Sequence, residues 1–128
     1  MQFDNNGQAI YLQIVDYICD KILLGEYRND DKLPSVRELA VALEVNPNTV
    51  ARAYEQLKTQ QIIFDKRGIG YFVSEDAPSI AKTQRRQEFN ERILPPVFRT
   101  MVMLGVEPTD LQQAFQQFKS KINSDENK

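Results

Sequence analysis

The sequence predicts a mostly α fold with one small β-ribbon, and three observations carry the prediction. Apolar residues recur at spacings of three and four within residues 10–24, 36–43 and 47–59, the period of helices with one buried face. Two short β-prone runs, 62–64 and 71–73, flank a polar stretch containing two glycines. From residue 79 onward the pattern is helical again, interrupted at Leu94-Pro95-Pro96.

In the first helix Ile10, Ile14, Tyr17, Ile18 and Ile22 form the stripe, and Gly25 can end it. The following GEYRNDDK reads as a turn-rich connection. Ser35-Val36-Arg37-Glu38 fits a capping box, in which the Ser35 hydroxyl accepts from the Glu38 N–H and the Glu38 side chain reaches back. Val36, Leu39, Ala40 and Leu43 then supply a second buried stripe. Asn46 can cap the third helix, and Pro47 suits its first position because that N–H has no intrahelical partner anyway. Val50, Ala53, Tyr54 and Leu57 point one way, with Asn48, Thr49, Arg52, Glu55 and Gln56 on the other faces. Ile62-Ile63-Phe64 and Tyr71-Phe72-Val73 form the ribbon, its tip made cationic by Lys66-Arg67. Residues 75–78 read as a linker, and helices follow over 79–94, 96–104 and from Pro108 to Ile122. Leu94-Pro95-Pro96 must break or kink the first of these, since a residue before proline is pushed out of the α region. The final SDENK reads as a disordered tail.

Composition removes several function classes. The absence of histidine excludes His-based triads and imidazole metal sites, and no carboxylates sit in a paired or metal-ligand motif. No enzyme, metal or cofactor is expected. The lone Cys19, set in the first apolar stripe, is expected to pack as plain core. No run approaches the roughly 20 apolar residues of a membrane helix, and the N-terminus lacks a leader pattern, so a cytoplasmic protein is expected. Charge is no advertisement for nucleic acid: the chain is −2, and residues 1–75 hold eight Lys or Arg against eleven Asp or Glu. A DNA reading must rest on where the cations sit.

Three helices and a ribbon, with helices two and three joined by a tight turn, make a winged helix-turn-helix arrangement. In that geometry the N-terminal residues of the second helix of the pair reach base edges in the major groove. Here they are Asn46, Asn48, Thr49 and Arg52, with amide, hydroxyl and guanidinium chemistry suited to bases or phosphate. Lys66 and Arg67 can reach flanking backbone or minor groove. Each residue alone also has a plainer role: Asn46 as a cap, Arg37 and Arg52 as solvated surface, Lys66-Arg67 as a solubilising tip.

Three separated motifs then carry a resemblance. Lys32-Leu33-Pro34-Ser35-Val36-Arg37-Glu38-Leu39-Ala40, Val45-Asn46-Pro47-Asn48-Thr49-Val50-Ala51-Arg52-Ala53-Tyr54 and Gly68-Ile69-Gly70-Tyr71-Phe72-Val73 resemble the GntR family of bacterial transcription regulators, over residues 8–75. The Asn-Pro-Asn-Thr form and short helical C-terminus look like its YtrA-type subfamily. The resemblance implies a homodimeric, sequence-specific repressor on double-stranded DNA with a palindromic operator. It places DNA contacts on Arg37, on Asn46, Asn48, Thr49 and Arg52, and on the wing glycine Gly68; Ser35 and the ribbon-tip Lys66 and Arg67 complete the expected DNA-binding set. Asp30 and Gln61 stand where the family usually has glycine, so the local turns are expected to differ or to carry strain.

The division expected is a winged domain over residues 1–75 and a short helical dimerisation segment over 76–128. Too little chain follows the wing to enclose a drug-sized pocket of about 300–1,000 Å³ alone. Its apolar set, with Phe98, Met101, Leu104, Leu111, Phe115 and Phe118, is nonetheless too large to leave in water. Pairing of two copies through these residues is the expectation. Three alternatives stay open: packing back onto the winged domain, an effector pocket formed between subunits, and a winged module that binds protein instead of DNA.

Overall fold

The computed structural model describes residues 8–126. The elements are α1 (Ile10–Leu23), α2 (Val36–Leu43), α3 (Pro47–Thr59), β1 (Ile63–Lys66), β2 (Gly70–Val73), α4 (Ala77–Glu88), a π-helical turn (Phe89–Ile93), α5 (Leu94–Leu104) and α6 (Pro108–Glu126). They fall into two compact units, divided between Gln87 and Glu88.

The first unit has one apolar core. Ile14, Ile18 and Cys19 of α1 meet Leu39 and Leu43 of α2 and Val50, Tyr54 and Leu57 of α3, all buried. Cys19 is fully buried and free of any disulfide. The capping box at α2 is formed in both directions: the Glu38 N–H donates to Ser35 Oγ (3.1 Å) and the Ser35 N–H to Glu38 Oε1 (3.0 Å). Asn46 caps α3 through Oδ1, which accepts from the Asn48 N–H at 2.8 Å.

The ribbon pairs antiparallel, Ile63 with Val73, Phe64 with Phe72, Asp65 with Tyr71 and Lys66 with Gly70. The period-2 alternation of strands turns Ile63 and Val73 into the core and sets Phe64 against Phe72 on the other face, their rings stacked at 5.9 Å. The connection after α1 is more ordered than its turn-rich sequence suggests. Lys32 bridges Phe72, the Leu33 N–H donates to the Tyr71 carbonyl (2.9 Å), and the Asp30 N–H to that of Val73 (2.9 Å). Residues 30–33 thus cover the free edge of β2, satisfying backbone groups that an edge strand would leave open.

Asp30 and Gln61 keep the left-handed backbone that glycine would take, at φ 68° and 63°. Both turns therefore carry the strain of a non-glycine residue in that region. Glu44 joins them at φ 57°, closing α2 as a left-handed cap that the sequence did not announce.

Two expectations about the following segment are corrected. The stretch 75–78 is not linker throughout, because α4 begins at Ala77. Ala77 and Ala81 are fully buried in the core cluster of the winged unit, and Arg85 bridges Asp16 (3.1 Å) and Asp20 (2.9 Å) of α1. These contacts hold α4 to the winged unit, so that unit extends past residue 75 to Gln87.

In the second unit the interruption at Leu94-Pro95-Pro96 is a π-helical turn within a continuous helical run, not a loop. The Leu94 N–H bonds to the Phe89 carbonyl five residues back, and Leu94 stays helical at φ −68°, ψ −43°. This π turn widens the helix just ahead of two prolines, whose rings would otherwise meet carbonyls four residues back. The prolines then occupy the first turn of α5, where they cost little. Gly105, at φ 71°, closes α5 as a left-handed cap. The Glu107 N–H donates to Asp110 Oδ2 (2.9 Å) at the start of α6. Helix α6 runs to Glu126, so Ser124 and Asp125 are helical and not tail; Asn127 and Lys128 lie outside the described residues.

Candidate nucleic-acid interface

The tight turn between α2 and α3 comes from two local devices: the left-handed Glu44 ends one helix and the Asn46 cap starts the next. Tertiary contacts then fix the pair. Tyr54, in the middle of α3, donates its hydroxyl to the Pro34 carbonyl just before α2 (2.7 Å) and meets Tyr71 of β2 edge-on at 5.0 Å. Burial raises the Tyr54 pKa well above the ordinary phenol range, so the hydroxyl is a permanent donor.

On this frame the sequence-selected side chains lie at the surface. Ser35, Arg37, Asn46, Asn48, Arg52, Lys66, Arg67 and Gly68 are exposed, and Thr49 is half-buried. They fall on the start of α2, the N-terminal half of α3 and the turn of the ribbon, and α3 packs against both α2 and β1. Their hydrogen bonds sort them further. Asn46 Oδ1 is committed to its cap, whereas among the described residues the Asn48 side-chain amide has no hydrogen-bond partner and can pair with a base edge. Ser35 Oγ accepts within the capping box but keeps a hydroxyl proton to donate.

Ion pairing answers what net charge left open. Lys21 is paired with Glu26 (2.7 Å), Lys58 with Asp65 (3.3 Å), and Arg85 with Asp16 and Asp20. Its hydrogen bond to Asp65 raises the pKa of Lys58, and the bond to Glu26 does the same for Lys21. Among the described residues Arg37, Arg52, Lys66 and Arg67 enter no ion pair. The cations left uncompensated by a carboxylate include those on the α2, α3 and ribbon surface. Two are held by aromatic rings instead: Lys66 Nζ lies 4.4 Å from the Phe72 ring centre, and the Arg52 guanidinium carbon 4.0 Å from that of Tyr11.

The ring platforms under Lys66 and Arg52 were missed by sequence reasoning. Phe64 and Phe72 were open to detection, because a two-strand register with the turn at 67–69 sets them opposite one another. Tyr11 carried no such signal, since its contact with α3 is purely tertiary. Asp30, exposed and with no bond to its carboxylate among the described residues, and Asp31, whose carboxylate accepts from the Arg28 N–H (2.8 Å), add negative charge near β2.

The second unit carries the other selected set. Phe98, Leu104, Leu111, Phe115 and Phe118 are exposed and Met101 is half-buried. No residue from 88 to 125 is buried. An open depression of about 340 Å³ lies at the elbow between α5 and α6, lined by Phe98, Met101, Val102, Val106 and Pro108 among others.

Residues 10–73 match the family described as bacterial regulatory proteins, gntR family. The chain is 33% identical over 118 residues to the HTH-type transcriptional regulator YhcF of Bacillus subtilis, covering 90% of this chain and 96% of that protein. It is 47% identical over 72 residues to the HTH-type transcriptional repressor YtrA of the same organism, which spans 56% of this chain and 55% of that one. The crystal structure of a GntR-family transcriptional regulator from Bacteroides thetaiotaomicron superposes with a TM-score of 0.68 at 42% identity, covering 88% of this chain and 98% of that one.

Proposed function

The chain belongs to the GntR family of bacterial transcriptional regulators, and from that premise we propose that it is a repressor that binds a palindromic operator as a homodimer. The DNA-facing surface in this reading is the start of α2, the exposed face of α3 and the ribbon tip. Arg37, Arg52 and Arg67 grip phosphate or guanine, Asn48 and Thr49 read base edges, and Ser35 donates to phosphate. Lys66 and Gly68 complete the ribbon tip. The work is done in the cytoplasm, where the duplex is; no described helix is long and apolar enough to cross a membrane.

One observation carries the homodimer: a helical unit in which no described residue is buried. Leu111, Phe115, Phe118 and Ile122 recur along one side of α6, and Phe98 and Met101 stand on α5. A surface of this kind marks an interaction site, and a second copy of the same chain closes it with the symmetry that a palindrome requires. The repressor reading draws on the name of the YtrA relative. A second reading, an effector held where the α5–α6 depression is completed by the partner, draws on that depression alone.

Selection of bound sequences from a random duplex pool, with sedimentation of the full chain, tests the proposal. Two inverted half-sites at a fixed spacing of about one helical turn or its multiple, and a dimer at micromolar concentration, are expected. A monomer that selects a single unsymmetrical site, or selects nothing, overturns it. A ligand-induced rise in melting temperature would favour the effector reading.

A further inference from the structure

Arg52 lies one helical turn after Asn48 on the exposed side of α3. Glu55 offers it an ordinary i, i+3 ion pair, yet among the described residues Arg52 makes neither an ion pair nor a hydrogen bond. Its guanidinium carbon lies 4.0 Å from the centre of the Tyr11 ring on α1. Tyr11 is half-buried and packed against the core, so the ring is fixed in place and the long, flexible arginine comes to it. A cation on a ring is held through the π face, whereas guanidinium N–H donors lie in the guanidinium plane. The contact therefore orders the side chain without consuming a donor, and reduces the rotamer freedom lost when those donors meet a base or phosphate.

We propose that Tyr11 is a positioning residue for DNA recognition: its ring holds the Arg52 guanidinium in the pose in which it meets the duplex. The proposal rests on Arg52 being a DNA contact, as put forward above.

The test is a double-mutant cycle in the full-length chain on its selected operator, with Tyr11→Leu, Tyr11→Phe, Arg52→Ala and the Leu/Ala double variant. Tyr11→Leu is expected to weaken binding by about two- to fivefold, the range of an exposed cation–π contact. Tyr11→Phe should restore it, because the ring and not the hydroxyl acts. In the Arg52→Ala background, Tyr11→Leu should cost nothing further. The operator positions whose preference relaxes in Arg52→Ala should relax in Tyr11→Leu, a signature that loss of packing alone would not produce. Tyr11→Met is a second truncation of the ring should Tyr11→Leu fail to fold.

Unchanged or tighter binding by Tyr11→Leu, or a loss that persists without Arg52, overturns the proposal, tighter binding meaning that the ring clips Arg52 away from DNA. Unchanged affinity and preference in Arg52→Ala would instead remove Arg52 from the interface and take the proposal with it.

Discussion

Tyr54→Phe removes a single oxygen from the middle of the winged unit and leaves everything else in place. The ring is fully buried, and its edge contact with Tyr71, at 5.0 Å and 72°, survives the change. Lost is the hydroxyl donor to the Pro34 carbonyl, 2.7 Å away. A neutral hydrogen bond is worth about 0.5–1.5 kcal/mol net, and stranding its acceptor adds to that when water cannot replace the donor. Pro34 is half-buried, so water reaches its carbonyl in part, and the expected cost is about 1–2 kcal/mol. For a unit of this size about 1 kcal/mol shifts Tm by about 4–8 °C, which gives a drop of about 4–16 °C. Thermal unfolding followed by circular dichroism, at matched protein concentration so that any self-association is held constant, reads this directly. A drop under about 2 °C would refute the assignment of this bond as the tie between α3 and the start of α2.

Three further outcomes are expected. Gln61→Gly should raise stability by about 0.5–1 kcal/mol by relieving the left-handed strain at φ 63°, whereas Asp30→Gly should gain less because aspartate tolerates that region; urea midpoints compare them. The Glu38 carboxylate is held below the ordinary glutamate range, chiefly by the Ser35 backbone N–H. A depressed folded pKa contributes stability that is complete above the unfolded value of about 4.5 and is lost as pH falls through the folded value, so Glu38→Gln should lower stability at neutral pH and flatten the profile below about pH 4.5, the two proteins converging in acid. Phe115→Asp sets a charge in the apolar face of α6, and should leave a monomer by sedimentation that binds a half-site normally but the palindrome about 10²-fold more weakly.

Much of this fold was readable because its signals are local. The Ser35–Glu38 box and the Asn46-Pro47 start each depend on four or fewer consecutive residues, and the structure places both helices where those residues say. What escaped depends on partners distant in sequence. Nothing in the polar run at 30–33 shows that β2 will offer it hydrogen bonds. Ala77 and Ala81 look like surface alanines among charged neighbours until the core is present to bury them. Pro95 and Pro96 signal a break by their own chemistry, but the π turn that accommodates them is made by the residues before them. The candidate site divides the same way: residue types on α3 and the ribbon were legible, while the sorting of cations into paired and unpaired required the positions of their carboxylates.

That sorting bears on what the second unit would add in the proposed dimer. Phosphate neutralisation supplies most of the affinity of DNA-binding proteins, and it scales with the number of cations a surface can commit. The winged unit commits few. Lys21, Lys58 and Arg85 are spent on internal carboxylates, and the unpaired set on the proposed interface centres on Arg37, Arg52, Lys66 and Arg67. If the proposed interface is the one that meets DNA, a single unit with so small a cationic surface, in a chain of net charge −2, is expected to hold any duplex weakly. Weak non-specific attachment is an advantage to a sequence reader, because less of the protein is lost to competing sites along the genome. It also leaves one reader short of useful affinity. Joining two readers raises avidity by about 10²–10⁴ without adding a cation, and only at sequences that present two half-sites in matching geometry. In the proposed dimer the acidic composition and the exposed apolar faces of α5 and α6 would act together: the first would keep a single winged unit weak, and the second would make a pair selective.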